Sequence, residues 1–262
     1  MLKKVALTAM LIGSVLSAEG GMEYGISLVG MKMDYREYDK LDNILDSEAS
    51  QFQDITGAEV EMRYLLNESS NIEMKFLGIS GDTDYTGSYL GSNSGYGSLK
   101  GTTYNKVYDF SLGYNMNNAS EINNLSFLAG IGLGYRYWDR ELSSIQIEEY
   151  SWYSIRGNIG VEYKADAFRG AFLVEYQYGI KPVMTATGFS SDFELSSANI
   201  IKVSLPLRYN VYENLDLTCA YVFEYQDIKE SDIVYDAAGN GYVEPDSTAY
   251  NQYIKIGIVF KY

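Results

Sequence analysis

The feature that most constrains this chain is a hydrophobic period of two, repeated along most of its length. From Leu125 to Tyr137 every second residue is apolar or aromatic (Leu125, Phe127, Ala129, Ile131, Leu133, Tyr135, Tyr137). The residues between them are Ser126, Leu128, Gly130, Gly132, Gly134 and Arg136. Successive side chains of a strand point to opposite faces, so this segment reads as a strand with one greasy face and one small or polar face. The same split recurs at 168–180, 201–211 and 215–225, and more noisily at about 22–37, 51–66, 71–81, 103–116, 150–163 and 250–262. That makes ten strands, several of them about twice the usual five to six residues.

Short links at 67–70, 117–123, 164–167 and 212–214 alternate with longer polar links near 38–50, 82–102, 139–149, 182–198 and 227–249. An even strand count, with short turns at one rim and long loops at the other, is the layout of a membrane-spanning barrel. A soluble sandwich or barrel also alternates. The 26 tyrosines, many on the apolar face near strand ends, favour the membrane because aromatic girdles sit at its two interfaces. The predicted fold is therefore all-β: a single transmembrane antiparallel β-barrel of about ten strands, with short periplasmic turns and long extracellular loops. Eight or twelve strands stay open, because the links near 38–50 and 82–102 could hide strand extensions.

Lys3 and Lys4, the apolar run from Val5 to Gly13, and Val15-Leu16-Ser17-Ala18 have the order of an export signal cut after Ala18. The apolar run is too short for the ~20 residues a spanning helix needs. The expected organisation is a cleaved signal peptide at 1–18 and a barrel domain at 19–262. Counting back from the end by twos gives Tyr262, Phe260, Ile258, Ile256 and Ile254. This resembles the C-terminal strand signal of bacterial outer-membrane barrels, with a terminal Tyr where Phe is commonest. The resemblance implies a Gram-negative outer membrane and makes Ile256, Ile258, Phe260 and Tyr262 an assembly signal. The partners it implies are the barrel assembly machinery, periplasmic chaperones, outer-membrane lipid and lipopolysaccharide.

Several chemistries are excluded or disfavoured. The chain has no histidine, which removes imidazole catalysis and His-ligated zinc, and its single Cys219 allows no internal disulfide. The net charge of -15 argues against nucleic acid. Gly130-x-Gly132-x-Gly134 lies mid-strand with no helix following, so it is no nucleotide loop, and no cofactor is expected.

If the greasy faces meet lipid, the opposite faces fill the lumen. They carry Glu59, Glu61, Arg63, Glu73, Lys75, Asp109, Arg136, Arg156, Glu162, Arg169, Glu175, Lys181, Lys202, Arg208, Glu224 and Lys255. Barrels near eight strands are filled by their own side chains, so ion pairs cross-linking the interior are expected, with a narrow porin-like channel as the alternative. Gly130, Gly132 and Gly134 leave room for large neighbours. The loops hold the excess acid: Asp39, Asp42, Asp46 and Glu48 near the first, and Asp227, Glu230, Asp232, Asp236, Glu244 and Asp246 near the last. They read as a solvated acidic rim at the cell surface, able to attract divalent cations.

Ten strands with five outer loops resembles the omptin family of outer-membrane proteases. In that family paired aspartates and an Asp-x-His pair surround a water. Here Asp82-Thr83-Asp84 matches the first pair, but Asp192-Phe193-Glu194 has Glu194 where the histidine belongs. The resemblance implies an omptin-like barrel without the general base, and a non-enzymatic structural or surface protein is the expected function. A hydrolase using Asp82, Asp84, Asp192 and Glu194 is the less favoured reading.

Overall fold

The computed structural model describes residues 21–88, 95–119, 124–236 and 238–262. The segment 1–18, expected to be a signal peptide, and parts of the links at 82–102 and 117–123 lie outside the described residues. Ten strands form the wall. β1 is Met22–Lys32, continued beyond Met33 as Asp34–Tyr38; β2 is Ile55–Asn67, preceded by Ile44–Ala49. They are followed by β3 (Ser70–Gly87), β4 (Leu99–Ala119), β5 (Leu125–Ser143) and β6 (Gln146–Ala165). The last four are β7 (Phe168–Ala186), β8 (Ala198–Tyr212), β9 (Leu215–Ile228) and β10 (Asp246–Lys261). Every strand pairs antiparallel with its sequence neighbours, and β10 returns to β1 with Ile26 opposite Ile258. The ring is closed, so no edge is left to template aggregation.

The wall shows why the period of two was legible. Outward residues form an apolar belt including Ile26, Leu28, Leu133, Ile155, Ile159 and Ile256, all exposed on the isolated chain. Aromatic rings bound the belt: Tyr24, Tyr163, Tyr209 and Phe260 towards the short turns, and Tyr108, Tyr153, Tyr178 and Tyr250 towards the loops. On β6 the belt runs from Tyr153 to Tyr163, the roughly 9–11 residues a tilted strand needs to cross a bilayer.

The strands are longer than the sequence pattern suggested. The link at 139–149 is strand on both sides of Ser144-Ile145, with Gln146 N donating to Ser143 Oγ at 3.1 Å. β3 and β4 likewise run to Gly87 and from Leu99, inside the expected loop. Beyond the belt the outward residues are Lys106, Asp139, Glu141 and Glu149, so the contrast between the two faces disappears and periodicity no longer marks a strand. Lys181 also departs from expectation. A register shift opposite Ser151–Tyr153, with positive φ at Lys181, turns its side chain to the exposed surface instead of the lumen.

Candidate functional site in the lumen

Three zones succeed one another along the axis. At the turn end lies a cavity of about 660 Å³, reaching from the turn residues Asn67–Asn71 up to Asp109 and Tyr253. Its walls alternate in charge. Arg63 pairs with Glu23 (3.0 Å), Glu61 (2.8 Å) and Glu73 (2.7 Å), and Lys75 pairs with Glu73 at 2.8 Å. Arg208 crosses to Glu23 at 2.9 Å, Lys255 meets Glu59 at 2.6 Å, and Arg156 meets Glu175 at 2.7 Å. Glu162 meets Lys164 at 3.0 Å. Arg169 lines the same cavity but forms no ion pair with any described carboxylate.

Above the cavity lies a layer of buried, paired charges. Arg136 is buried and holds Glu224 with both terminal nitrogens (2.9 and 2.8 Å), together with Asp109 at 2.8 Å and Gln226 at 2.8 Å. Glu224, with no exposed surface, also accepts from Asn251 (3.0 Å) and Tyr253 (3.1 Å) and lies 3.1 Å from Lys202. So much donation is what a buried carboxylate requires. Gly134 makes the space, since a methyl there would lie 3.1 Å from Arg156 Cδ and 2.5 Å from Ser154 Oγ. Beside this layer Met31, Met33, Val107 and Trp138, with Arg136, Gln226, Ala249, Asn251 and Tyr253, line a small pocket of about 10 Å³, room for no more than one water. Trp138 stacks on Tyr150 with centroids 4.9 Å apart and donates its indole N–H to Asn105 at 2.8 Å.

The third zone, beyond the aromatic ring at the loop end, is a group that the sequence reading missed. Arg140 is 1% exposed and touches Glu48 (2.6 Å), Glu148 (2.8 Å), Asp46 (3.2 Å) and Glu37, with its guanidinium over the Tyr35 ring at 4.6 Å. Glu244 joins through Tyr150 Oη at 2.5 Å, and Thr83 and Asn105 donate to Glu48 at 2.6 and 2.9 Å. One cation thus serves five acids. Burial and the neighbouring carboxylates push Asp46 up to about 8 and raise Glu148 and Glu244 as well, Glu244 strongly. Asp46, Glu48 and Glu244 are therefore not part of a solvated rim. The signal was present, because Arg136, Trp138 and Arg140 share one face of β5, but 139–149 read as loop.

Other loop acids are occupied with their own turns. Asp39 accepts from Leu41 N, Asn43 N and Asn43 Nδ2, and Asp236 accepts in the same way from Ala238 and Asn240. These bonds hold both carboxyls below their ordinary range. Among the described residues no group of three or more His, Cys, Asp or Glu side chains is placed to hold a metal ion. The four omptin-like acids are not brought together either. Thr83 is buried in the lumen, so Asp82 and Asp84 on either side of it face outward and are exposed. Asp192 and Glu194 are also exposed, flanking buried Phe193, which pairs with β7 on the far side of the ring from β3.

No protein-family model matches the chain, and no curated protein matches it in sequence. Among solved structures, the outer membrane protease OmpT from Escherichia coli aligns with a TM-score of 0.56 at 12% identity, over 94% of this chain and 99% of that one. OprG from Pseudomonas aeruginosa aligns at 0.41 with 11% identity, covering 94% and 96% of the two chains. Ail, the attachment invasion locus protein of Yersinia pestis, aligns at 0.38 with 13% identity, covering 94% and 100%. The OmpT likeness concerns the fold, and it joins a closed ring whose apolar belt lies between two aromatic girdles. The chain is an outer-membrane β-barrel. Its turn end is then periplasmic and its loop end extracellular.

In this barrel the side chains that the sequence reads as an assembly signal lie where the bilayer would be. Ile256, Phe260 and Tyr262 are exposed on the outer face, and the Tyr262 backbone bonds Met22 in both directions (2.7 and 3.0 Å). Tyr262→Asp keeps those backbone bonds but sets a charge at the periplasmic girdle, where an aromatic is favoured. Folded protein in outer-membrane fractions is expected to fall sharply; unchanged levels would contradict the assembly role.

Proposed function

We propose that this barrel is a closed, non-enzymatic surface protein of the outer membrane, its lumen occupied by its own side chains. The observation that carries the reading is the septum. Arg136 and Glu224 are buried against each other, and the pocket beside them, lined by Arg136 with Met31, Met33, Val107 and Trp138, holds only about 10 Å³. An ion crossing it would have to displace a desolvated pair or a close-packed apolar layer, both unfavourable. The separation of Asp82 and Asp84 from Asp192 and Glu194 supports the non-enzymatic part. The exposed acids of the extracellular surface that are not taken up by their own turns, such as Asp42 and Asp232, support contact with cations or with lipopolysaccharide at the cell surface. Conductance in planar bilayers tests the central claim. Purified barrel is expected to insert without resolvable single-channel steps. Regular ohmic steps that change in size with Arg136→Ala or Arg156→Ala would replace this reading with a narrow channel.

A further inference from the structure

The periplasmic cavity is large for a barrel filled with its own side chains, and its charges are not evenly satisfied. Lys164 on β6 stands directly opposite Arg169 on β7, and Arg169 directly opposite Arg208 on β8. All three line the cavity, forming a row of cations across three adjacent strands. Like charges at opposed positions repel, and the outer two are relieved. Lys164 reaches Glu162 at 3.0 Å, and Arg208 reaches Glu23 at 2.9 Å and Glu61 at 3.3 Å. Glu23 is shared with Arg63 at 3.0 Å. Arg169, in the middle, is the one cavity-lining cation with no carboxylate of the described residues within 4 Å, and it acts on Glu23, already shared by Arg63 and Arg208, only from a distance.

The wall above this row differs from the rest of the cavity. On the lumen faces of β7, β8 and β9 it presents Ala171, Leu173, Pro206, Ala220 and Val222, interrupted by Ser204 and Thr218 and bounded by Glu175 and Lys202, whereas β1 to β3 present the paired acids and bases. A fork of donors beneath an apolar wall suits an oxyanion attached to a compact apolar body. A volume of about 660 Å³ is within the range of small-ligand sites.

We infer that the periplasmic cavity binds a small organic oxyanion, a carboxylate or phosphate monoester, with its charged end on Arg169 and its apolar body against the β7–β9 wall. The septum above makes this a blind site, filled and emptied from the periplasm. The inference does not depend on that closure, because binding would be measured whether or not the lumen conducts.

The test is calorimetric titration of detergent-folded barrel with benzoate and with phenyl phosphate. Inorganic phosphate and benzylammonium serve as controls for the apolar body and for the sign of the charge. Arg169→Gln removes the unpaired cation without breaking an ion pair, and Ala171→Glu supplies an internal carboxylate one step along the same face. Both variants are first shown to be folded by heat-modifiable gel migration. Wild type is expected to bind both aromatic anions and not benzylammonium, and each variant to bind about tenfold more weakly or worse, as expected for losing a charge-assisted contact. No binding of either anion at millimolar concentration, or equal binding by wild type and folded Arg169→Gln, overturns the inference. Inorganic phosphate binding as tightly as phenyl phosphate also overturns it, because the apolar wall would then contribute nothing.

Discussion

Arg140→Leu is expected to open the extracellular end of the barrel while the membrane-embedded half stays closed. The substitution leaves Glu37, Asp46, Glu48 and Glu148 around a site that was 1% exposed and held the cation they share. Removing one partner of a buried ion pair costs roughly 3–5 kcal/mol, because the remaining charge must be buried alone. The lost contact with the Tyr35 ring adds to that. The chain has two tryptophans, Trp138 and Trp152, 3% and 2% exposed beneath this cluster, so their emission reports on it directly. A red-shifted emission and a lower urea midpoint at pH 7 are expected, with partial recovery at pH 5 as the abandoned carboxylates take up protons. Wild-type emission and midpoint in a folded Arg140→Leu barrel would show that the cluster does not hold the extracellular end together.

The same end is expected to weaken as the pH rises. Burial, reinforced by Glu37 and Glu48, lifts Asp46 to about 8, and Glu148 and Glu244 are raised for the same reasons. These are acids whose folded pKa exceeds the unfolded value near 4. Between the two values the folded state therefore holds more protons than the unfolded state, and stability falls as the pH rises through that window. The full contribution is present below about pH 4 and is gone by about pH 8, with a span on the order of a few kcal/mol for Asp46. Urea titrations followed by tryptophan emission should give midpoints that decline from pH 5 to pH 8 and then level off. Asp46→Asn should flatten the decline while leaving the low-pH value close to wild type. An upward trend over that range, or a slope unchanged in Asp46→Asn, would contradict the assignment.

Within the bilayer, much of this molecule could be read from the chain. The residues Ile131, Leu133, Tyr135 and their counterparts must meet lipid while Gly132, Gly134 and Arg136 must not, and that opposition prints a period of two on the sequence. It located all ten strands and placed Arg63, Lys75, Arg136, Arg156, Glu162, Arg169, Glu175, Lys202, Arg208 and Glu224 on the inner face. Their pairing was not legible. Arg136 and Glu224 are 88 residues apart and meet at 2.8 Å because ring closure sets strands β5 and β9 across one lumen.

Beyond the bilayer the local signal fails for a definite reason. Water wets the outer face there, so polar residues stand on both sides and Asp46, Glu48, Arg140 and Glu244 look like loop acids and a stray base. Only the folded wall, continued to Ser143 and Gln146, turns them inward on a common centre. The sequence by itself determined the membrane barrel and the two faces of each strand, and bounded the strand number near ten with eight or twelve left open, because those follow from side chains meeting lipid or lumen at alternate positions. The tertiary structure alone decided the Arg136–Glu224 layer, the buried Arg140 cluster and the cavity that Arg169 lines. Each of these depends on the distance across a closed ring, a quantity to which no local run of residues is sensitive.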